Sequence, residues 1–230
     1  MAYILSIETA TAICSISLGC DGKVVAYREQ SSGNSHSACV LPFIDEILHE
    51  AHLSQQDLSA VAVSEGPGSY TGLRIGVSTA KGLCAALGIP LIAVSTLKSI
   101  ANGVHEQDHR SNILICPMID AKRMEVYCAL YDQQLETIQP VDNKIIDKNS
   151  FADVLSEQEV VFCGDANEKV SSVLSYQLKA EFVDVKASAN YMALPAYQQF
   201  LKQDFVDVAY FEPFYLKSFQ SAVSKVKGLK

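Results

Sequence analysis

A glycine-rich turn at residues 66–69, Gly-Pro-Gly-Ser, is the first segment whose residue types could serve chemistry. It follows an apolar run of strand length and precedes a helical pattern, so the free amides of a helix N-terminus point at the turn. Such amides bind anions, and one interpretation of the segment is therefore a phosphate-binding loop. The other interpretation is a plain strand-to-helix turn, because glycine also serves tight turns that bind nothing.

Paired histidines are the second candidate for chemistry, since two imidazoles four residues apart on a helix can hold one metal ion. His105 and His109 have this spacing, but they lie in a polar segment that lacks an apolar helical frame. His49 and His52 lie beside acidic residues in a helical pattern, which is typical of a solvated face. We therefore predict no metal site.

The composition limits the cellular setting and the partners. The chain has 230 residues, 49% of them hydrophobic, and a formal net charge of -8, which favours a folded protein without direct nucleic-acid binding. Its seven cysteines include no C-x-x-C pair and have apolar neighbours, so we expect free thiols in a reducing compartment. The first residues do not resemble a signal peptide, and no apolar run reaches the ~20 residues that span a bilayer. We expect a soluble, cytoplasmic protein without a membrane partner.

The first half of the chain predicts a meander followed by alternating helices and strands. Three strands are expected at residues 3–7, 13–18 and 24–27, with the hairpin signal Asp21-Gly22 between the last two. The elements expected next are a helix from Ser35 or Ser37 to about residue 52, a strand at 58–64, a helix at 71–87, a strand at 91–94 and a helix that begins at Ser95 or Thr96.

The second half repeats this layout after the polar residues 102–112. Strands are expected at 113–119, 124–131 and 160–163, and helices at about 167–178 and 195–205. A meander joined to parallel strands, occurring twice, is the layout of the actin-like ATPase and sugar-kinase (ASKHA) superfold. We therefore predict an α/β protein with two duplicated mixed-sheet domains, at residues 1–103 and 104–217, and a tail at 218–230 that packs back on the first.

The helix predicted at residues 71–87 is apolar on nearly two faces, whereas a surface helix needs only one. Its interior glycines each cost ~1 kcal/mol relative to alanine and indicate the close approach of another backbone. The first interpretation is a surface for a partner or a second copy; the other is internal packing. The predicted interface residues lie on this helix and the preceding one: Val40, Phe43, Ile44, Ile47, Tyr70, Gly72, Leu73, Ile75, Gly76, Thr79 and Leu83.

Residues 66–76, Gly-Pro-Gly-Ser-Tyr-Thr-Gly-Leu-Arg-Ile-Gly, resemble the signature of the TsaB/TsaD family, formerly described as glycoprotease-like. Residues 4–9 are similar to its opening "ILAIDTS", with Glu8 in place of the usual aspartate. The segments 80–83 and 212–217 also match, and residues 117–127 resemble a pattern found in TsaB and not in TsaD. The chain is thus identified as a member of the TsaB (YeaZ) family, a non-catalytic paralogue of TsaD.

The resemblance implies that the catalytic machinery of TsaD is missing. TsaD binds a metal through a helical H-x-x-x-H, and the corresponding positions here are Thr96 and Ile100. The two turns that would hold ATP phosphates lack glycine, and a Cβ hinders close backbone approach. We expect no resident cofactor; weak ATP or ADP binding is left open, with Glu8, Thr9, Lys122, Arg123 and Gly164 as candidate contacts.

The resemblance further implies a scaffold role in tRNA modification. Members of the family pair through these two helices with TsaD or with a second copy, and TsaE joins the cycle. The complex transfers a threonylcarbamoyl group to the adenosine adjacent to the anticodon, so tRNA would be met only through the complex. Two alternatives stay open: an enzyme, either a small-molecule kinase or a glycoprotease-like metallopeptidase, and a bare nucleotide-binding regulator.

Overall fold

Two five-stranded mixed sheets form the frame of the computed structural model, which describes residues 1–31 and 36–217. The first sheet contains β1 (Tyr3–Glu8), β2 (Cys14–Cys20), β3 (Lys23–Gln30), β4 (Ala60–Gly66) and β5 (Leu91–Ser95), in the order β3-β2-β1-β4-β5. β1, β2 and β3 are antiparallel, whereas β4 and β5 run parallel to β1. This is the predicted meander followed by parallel strands.

Helices α1 (His36–Glu50) and α2 (Tyr70–Leu87) cover one face of this sheet. The hydroxyl of Ser69 accepts a hydrogen bond from the Gly72 amide at 3.3 Å and caps the start of α2. Gly88 ends the helix with a φ of 68°, a left-handed conformation that suits glycine. The helix predicted at residues 71–87 is thus confirmed as α2, and one of its faces covers the first sheet.

The second sheet repeats the topology of the first. Its strands are β6 (Ile113–Asp120), β7 (Glu125–Tyr131), β8 (Thr137–Ile145), β9 (Glu159–Cys163) and β10 (Ala180–Phe182), in the order β10-β9-β6-β7-β8. Read from β8, this is again a three-stranded antiparallel meander followed by two parallel strands. Helices α4 (Ala152–Glu157) and α5 (Asn167–Leu174) pack on one face.

The sequence did not predict three of these elements. β8 is an edge strand whose residues are almost all exposed and which contains Pro140, so it lacks the alternation of a half-buried strand. α4 has 6 residues and β10 has 3, which is too short for a clear hydrophobic period. The missing pattern has a physical cause in each case, namely exposure or short length.

Helix α3 (Thr96–His105) connects the two sheets and lies between them. Its Leu97 and Ile100 belong to the core of the second sheet. Residues 102–104, which belong to the polar segment expected between the two halves, are buried in the last part of α3. The predicted boundary at 103/104 therefore falls inside a helix.

The chain returns to the first sheet after β10. A 3₁₀ turn (Ala189–Met192) and α6 (Ala193–Leu201) cover the face opposite to α1 and α2, where Met192 and Ala196 pack against Ile4 and Ile92. The domain prediction assigned this segment to the second half. Its apolar side chains complete the core of the first half instead.

Residues 206–217 continue along the first sheet. The Val206 amide donates to the Leu91 carbonyl at 3.0 Å, and the Phe214 amide donates to the Glu65 carbonyl at 2.7 Å. The Lys81 ammonium of α2 holds the segment by donating to the carbonyls of Ala209 and Phe211 at 3.0 and 3.1 Å. The predicted packing of the tail at 218–230 concerns residues outside the described part of the chain.

A membrane crossing needs a helix that is both long and strongly apolar. No helix within residues 1–31 and 36–217 meets these two conditions.

Candidate functional site

A surface groove of about 480 Å³ lies between α1 and α2. Its lining combines apolar side chains with hydroxyl groups and one guanidinium: Ser37, Val40, Leu41, Tyr70, Thr71, Arg74, Ile75, Ser78 and Thr79. Four of these residues, Val40, Tyr70, Ile75 and Thr79, belong to the interface predicted from the sequence. The groove thus brings four of the eleven predicted interface residues together on the described surface.

The apolar wall of the groove is partly open to solvent. Leu41 is 56% exposed, and Ile75 is half-buried. Phe43 on α1 and Leu83 on α2 are also half-buried and extend the apolar surface beyond the groove. A shared strip of half-buried apolar side chains on two adjacent helices is suited to contact with another protein.

Several predicted interface residues lie inside the chain instead. Val40, Ile44 and Ile47 of α1 are at most 1% exposed, and Leu73 of α2 is fully buried. They pack on the first sheet, because a helix with a wide apolar surface buries its central stripe and exposes only the margins. In this structure their side chains serve internal packing, and the open part of the predicted surface lies at the margins of the helices.

The glycines of α2 face a turn of the same chain. A Cβ at Gly72 would lie 2.0 Å from the Thr9 carbonyl oxygen, and a Cβ at Gly76 would lie 2.3 Å from Thr9 Oγ1. The Thr9 hydroxyl donates to the Gly72 carbonyl at 2.8 Å. The predicted close approach of a backbone is thus correct, but the approaching segment is the turn after β1 and no partner is needed to explain it. Only Gly82 faces open space.

An aromatic cluster closes one end of the groove. The Arg74 guanidinium lies 4.1 Å from the centroid of the Tyr70 ring, and the rings of Tyr70 and Tyr215 are 4.8 Å apart. Arg74 Nε also donates to the Tyr215 hydroxyl at 3.4 Å. The C-terminal segment therefore borders the groove, and Tyr215 fixes the position of Arg74.

Two predicted nucleotide contacts, Glu8 and Thr9, are fully buried at the end of β1. Glu8 Oε1 accepts a hydrogen bond from the Ala10 amide at 2.6 Å, and Oε2 has no partner among the described residues. Burial raises the pKa of the Glu8 carboxyl to about 7, although the Ala10 hydrogen bond opposes this shift. Both side chains are enclosed in this conformation, and their contact with a nucleotide stays a prediction.

The turn after β6 carries two further predicted nucleotide contacts, Lys122 and Arg123. Lys122 and Arg123 are exposed and have positive φ angles of 70° and 53°. The Lys169 ammonium of α5 fixes the turn by donating to the carbonyls of Arg123 at 3.1 Å and Glu125 at 2.6 Å. The two basic side chains are therefore presented to solvent on a fixed turn.

Asp120, at the end of β6, and Gly164, which follows β9, both make contacts within the chain. Partial burial would raise the pKa of Asp120, but the hydrogen bonds from Lys169 and from the Lys122 amide outweigh it and lower the pKa. The Gly164 amide donates to the Val185 carbonyl at 2.8 Å, and a Cβ there would meet the Met118 carbonyl oxygen. Gly164 thus serves close backbone packing in this structure, and its contact with a ligand stays a prediction.

The positions that correspond to the metal-binding histidines of TsaD lie in the core. Thr96 and Ile100 of α3 are fully buried. His105 ends α3 with Nδ1 3.2 Å from the Gln133 amide oxygen. Within the described ranges, no group of three or more metal-ligating side chains comes together.

Sequence reasoning missed three residues of these surfaces. Leu41 directly follows Val40 in an apolar helical pattern, so periodicity alone does not distinguish its exposed side chain from the buried ones. Tyr215 contacts Arg74 of α2, and Lys169 contacts the turn after β6; both partners lie more than forty residues away in sequence. The segment 212–217 had been noticed for its family resemblance, which was the one available signal for Tyr215.

Comparisons with known proteins agree on the family. The family model described as TsaD, tRNA N6-adenosine threonylcarbamoyltransferase, matches residues 29–203. The tRNA threonylcarbamoyladenosine biosynthesis protein TsaB of Escherichia coli (strain K12) is 40% identical over 130 residues, which cover 56% of this chain and 55% of that protein. TsaB of Bacillus subtilis (strain 168) is 36% identical over 167 residues, 70% of each chain.

Solved structures agree on the fold. A Pseudomonas aeruginosa protein with similarity to the peptidase YEAZ superposes with a TM-score of 0.78 at 24% identity, over 94% of this chain and all of that one. A polyphosphate/ATP-glucomannokinase of Arthrobacter sp. strain KM gives a TM-score of 0.52 at 11% identity, over 88% and 100%. At such identities the likeness concerns the fold alone, and it confirms the predicted ASKHA class.

The matched segments do not cover the whole of the relatives. They span 55% of the Escherichia coli protein and 51% of the Haemophilus influenzae one, about half of their length, and 70% of the Bacillus subtilis protein. The family model nevertheless matches well over half of this chain. On that match, and on the identity to relatives named TsaB, the chain belongs to the TsaB (YeaZ) family.

Proposed function

We propose that this chain takes part in tRNA threonylcarbamoyladenosine biosynthesis as a non-catalytic subunit. In this role it binds a TsaD-type threonylcarbamoyltransferase and supports transfer of the threonylcarbamoyl group to N6 of the adenosine adjacent to the anticodon. The names of its curated relatives support a role in this biosynthetic process. The cytoplasm, where tRNA is modified, is the expected location.

The groove between α1 and α2 is the observation that carries the binding proposal. It combines an exposed leucine, Leu41, with half-buried Ile75 and the aromatic ring of Tyr70. Partly buried apolar side chains of this kind lose their remaining water contact when another helix pair covers them, which contributes ~25 cal/mol per Å² of apolar area. The same surface could pair with a second copy of the chain, so we propose that TsaD and self-association compete for it.

The non-catalytic part of the proposal rests on what stands where TsaD has its functional groups. Thr96 and Ile100 are enclosed in the core, and neither isoleucine nor a buried threonine hydroxyl is a suitable zinc or iron ligand. The turn after β1 directs its buried residues, Glu8 and Thr9, at the chain itself. These features argue against the alternatives of a kinase or a metallopeptidase.

The remaining partners follow from the same role. TsaE would act on the assembled complex, and tRNA would be bound mainly by the other subunits, because a net charge of -8 disfavours phosphate contacts. Weak ATP or ADP binding stays part of the proposal through Lys122 and Arg123 alone, as point charges on the turn after β6. No resident cofactor is proposed.

The decisive experiment compares two exposed leucines on different helices. Leu41 lines the groove and is 56% exposed, whereas Leu201 of α6 is 64% exposed and lies outside the groove. Binding of the TsaD from the same organism is measured by size-exclusion chromatography with light scattering and by calorimetry. We expect Leu41→Glu to weaken the complex at least about tenfold, or ~1.4 kcal/mol, because a carboxylate would be buried in the contact.

The Leu201→Glu variant is the matched control and should bind like the unmodified protein. Equal weakening by both variants would locate the contact elsewhere or indicate a general loss of folding, which thermal unfolding would detect. A chain that does not bind TsaD at all would overturn the proposed function.

A further inference from the structure

Among the described residues that line the groove between α1 and α2, Arg74 alone carries a charge. The other lining side chains are apolar, aromatic or hydroxyl-bearing, although the whole chain has a formal net charge of -8. Arg74 is exposed, and it lies one helical turn from Tyr70 and one from Ser78, which also line the groove. A single positive charge thus marks a groove that is otherwise uncharged.

Two tyrosines hold the guanidinium of Arg74 in place. The guanidinium carbon lies 4.1 Å from the centroid of the Tyr70 ring, and Nε donates to the Tyr215 hydroxyl at 3.4 Å. A guanidinium that is already oriented by such contacts loses less conformational freedom when it binds an anion. Tyr70 and Tyr215 are therefore positioning residues for Arg74.

No carboxylate within the described part of the chain pairs with Arg74. None of the ion pairs among residues 1–31 and 36–217 includes it. Glu212 acts on it through space and makes no hydrogen bond to it. The terminal nitrogens Nη1 and Nη2 have no acceptor in the same two ranges. One carboxylate could accept a hydrogen bond from each of them at the same time.

The unpaired charge sets a condition for any protein that covers the groove. Covering removes water from the guanidinium, and a charge that is buried without an anion strongly opposes binding. A carboxylate opposite Arg74 removes this penalty, whereas an apolar or basic side chain at that point does not. Because the groove lining contains no acidic residue, the carboxylate has to come from the protein that covers it.

We propose that Arg74 is a specificity-determining residue of the groove and binds an aspartate or glutamate side chain of the TsaD-type partner. This inference rests on the proposed function, which supplies the partner, and adds the chemistry that the partner's surface needs at one point. A second copy of the chain is less suitable, because a groove-to-groove contact would bring two Arg74 side chains together without a carboxylate from either lining. The apolar side chains provide contact area, and Arg74 discriminates between partners.

The first test removes one positive charge at each of two exposed arginines. Arg74→Gln changes the groove, whereas the matched control, Arg123→Gln, makes the same change in charge on the turn after β6, outside the groove. Binding of the TsaD from the same organism to the full chain is measured by calorimetry. We expect Arg74→Gln to weaken the complex about tenfold or more, and Arg123→Gln to bind like the unmodified protein.

A charge reversal tests for the partner's carboxylate directly. Arg74→Glu should weaken the complex more than Arg74→Gln, because two carboxylates would then face each other. The exposed aspartates and glutamates of TsaD are replaced by lysine one at a time, and each TsaD variant is titrated with Arg74→Glu. We expect one of them to bind Arg74→Glu about tenfold more tightly than unmodified TsaD does. Thermal unfolding checks that each variant is folded.

The Leu41→Glu variant separates a failure of this inference from a failure of the proposed function. If Leu41→Glu weakens the complex while both Arg74 variants leave it unchanged, TsaD covers the groove without a carboxylate at Arg74, and this inference alone is overturned. It is overturned as well if no lysine variant of TsaD restores binding, or if Arg74→Gln weakens only self-association, measured by light scattering. A chain that does not bind TsaD overturns both.

Discussion

Glu8 lies at the end of β1 with its carboxyl enclosed by the sheet and by the turn that follows. Its raised pKa, about 7, reflects burial that no cationic partner among the described residues offsets, and one carboxyl oxygen has no hydrogen bond there. Since the ordinary value is 4.5, the carboxyl stays protonated in the folded chain over a pH range in which the unfolded chain has ionised. The family resemblance located this residue, but only its burial indicates how it titrates.

The sign of the effect on stability follows from these two pKa values. Below pH 4.5 both states are protonated and Glu8 carries no penalty. As the pH rises to about 7, the unfolded state alone gains the favourable ionisation, so the free energy of unfolding falls. We expect Glu8→Gln to raise the free energy of unfolding at pH 8 by roughly 1–3 kcal/mol, and to change it little at pH 4.

Urea denaturation of the two proteins at both pH values measures this difference. Glu157→Gln, which alters an exposed carboxylate on α4, is the control and should leave the pH dependence unchanged. A Glu8→Gln variant that is less stable at pH 8 than the unmodified protein would show that the buried carboxyl makes favourable contacts in its charged form.

Helix α2 is the element in which internal packing and an open surface meet. Its buried stripe contacts the first sheet, Gly72 and Gly76 admit the turn after β1, and the remaining side lines the groove beside α1. The glycines of α2 therefore differ in their surroundings: Gly72 and Gly76 make room for another segment of the chain, and Gly82 does not. Gly72 faces a carbonyl of the same chain, whereas Gly82 has no heavy atom within 4 Å of a built Cβ.

Two alanine substitutions on α2 should have opposite effects. Gly82→Ala is expected to stabilise the isolated chain by up to ~1 kcal/mol, because alanine loses less backbone entropy in a helix. Gly72→Ala is expected to destabilise it by about 1–3 kcal/mol, because the new Cβ would overlap the Thr9 carbonyl. Thermal and urea denaturation give both values. If Gly72→Ala were neutral, the turn after β1 would have to be able to move away from α2.

Each half of the sequence contributes side chains to the hydrophobic core of the other half. α3 contributes Leu97 and Ile100 to the second half, while the 3₁₀ turn and α6, which follow β10 in sequence, cover one face of the first sheet. A Lys217–Glu125 ion pair adds a contact between the C-terminal segment and β7. A cut at the predicted limits, 1–103 and 104–217, would therefore remove side chains from the core of each half.

Fragments of the chain test this sharing. Residues 1–103 alone should lack a cooperative unfolding transition and should bind a hydrophobic dye, because Ile4, Ile92 and Val94 lose the cover of Met192 and Ala196. Residues 1–217 are the control and should unfold cooperatively. Cooperative unfolding of 1–103 with similar stability would instead support the predicted boundary.

The sequence by itself determined the local elements that have a clear period and the order in which they occur. β1, β2, α1, β4 and α2 lie within a few residues of their predicted limits, because alternating or helical apolar spacing is a property of neighbouring residues. The repetition of this order also predicted the duplicated fold. The resemblance of residues 66–76, and the histidines absent at Thr96 and Ile100, identified the family and pointed to a non-catalytic role.

Only the tertiary structure decided which apolar face meets which neighbour. Gly72 touches Thr9, a residue 63 positions away, and no periodicity within α2 indicates whether its glycines face the same chain or a partner. The burial of Glu8 and the open position of Leu41 depend likewise on distant segments of the chain. Burial and pKa result from contacts that the folded chain creates, and such contacts cannot be counted along the sequence.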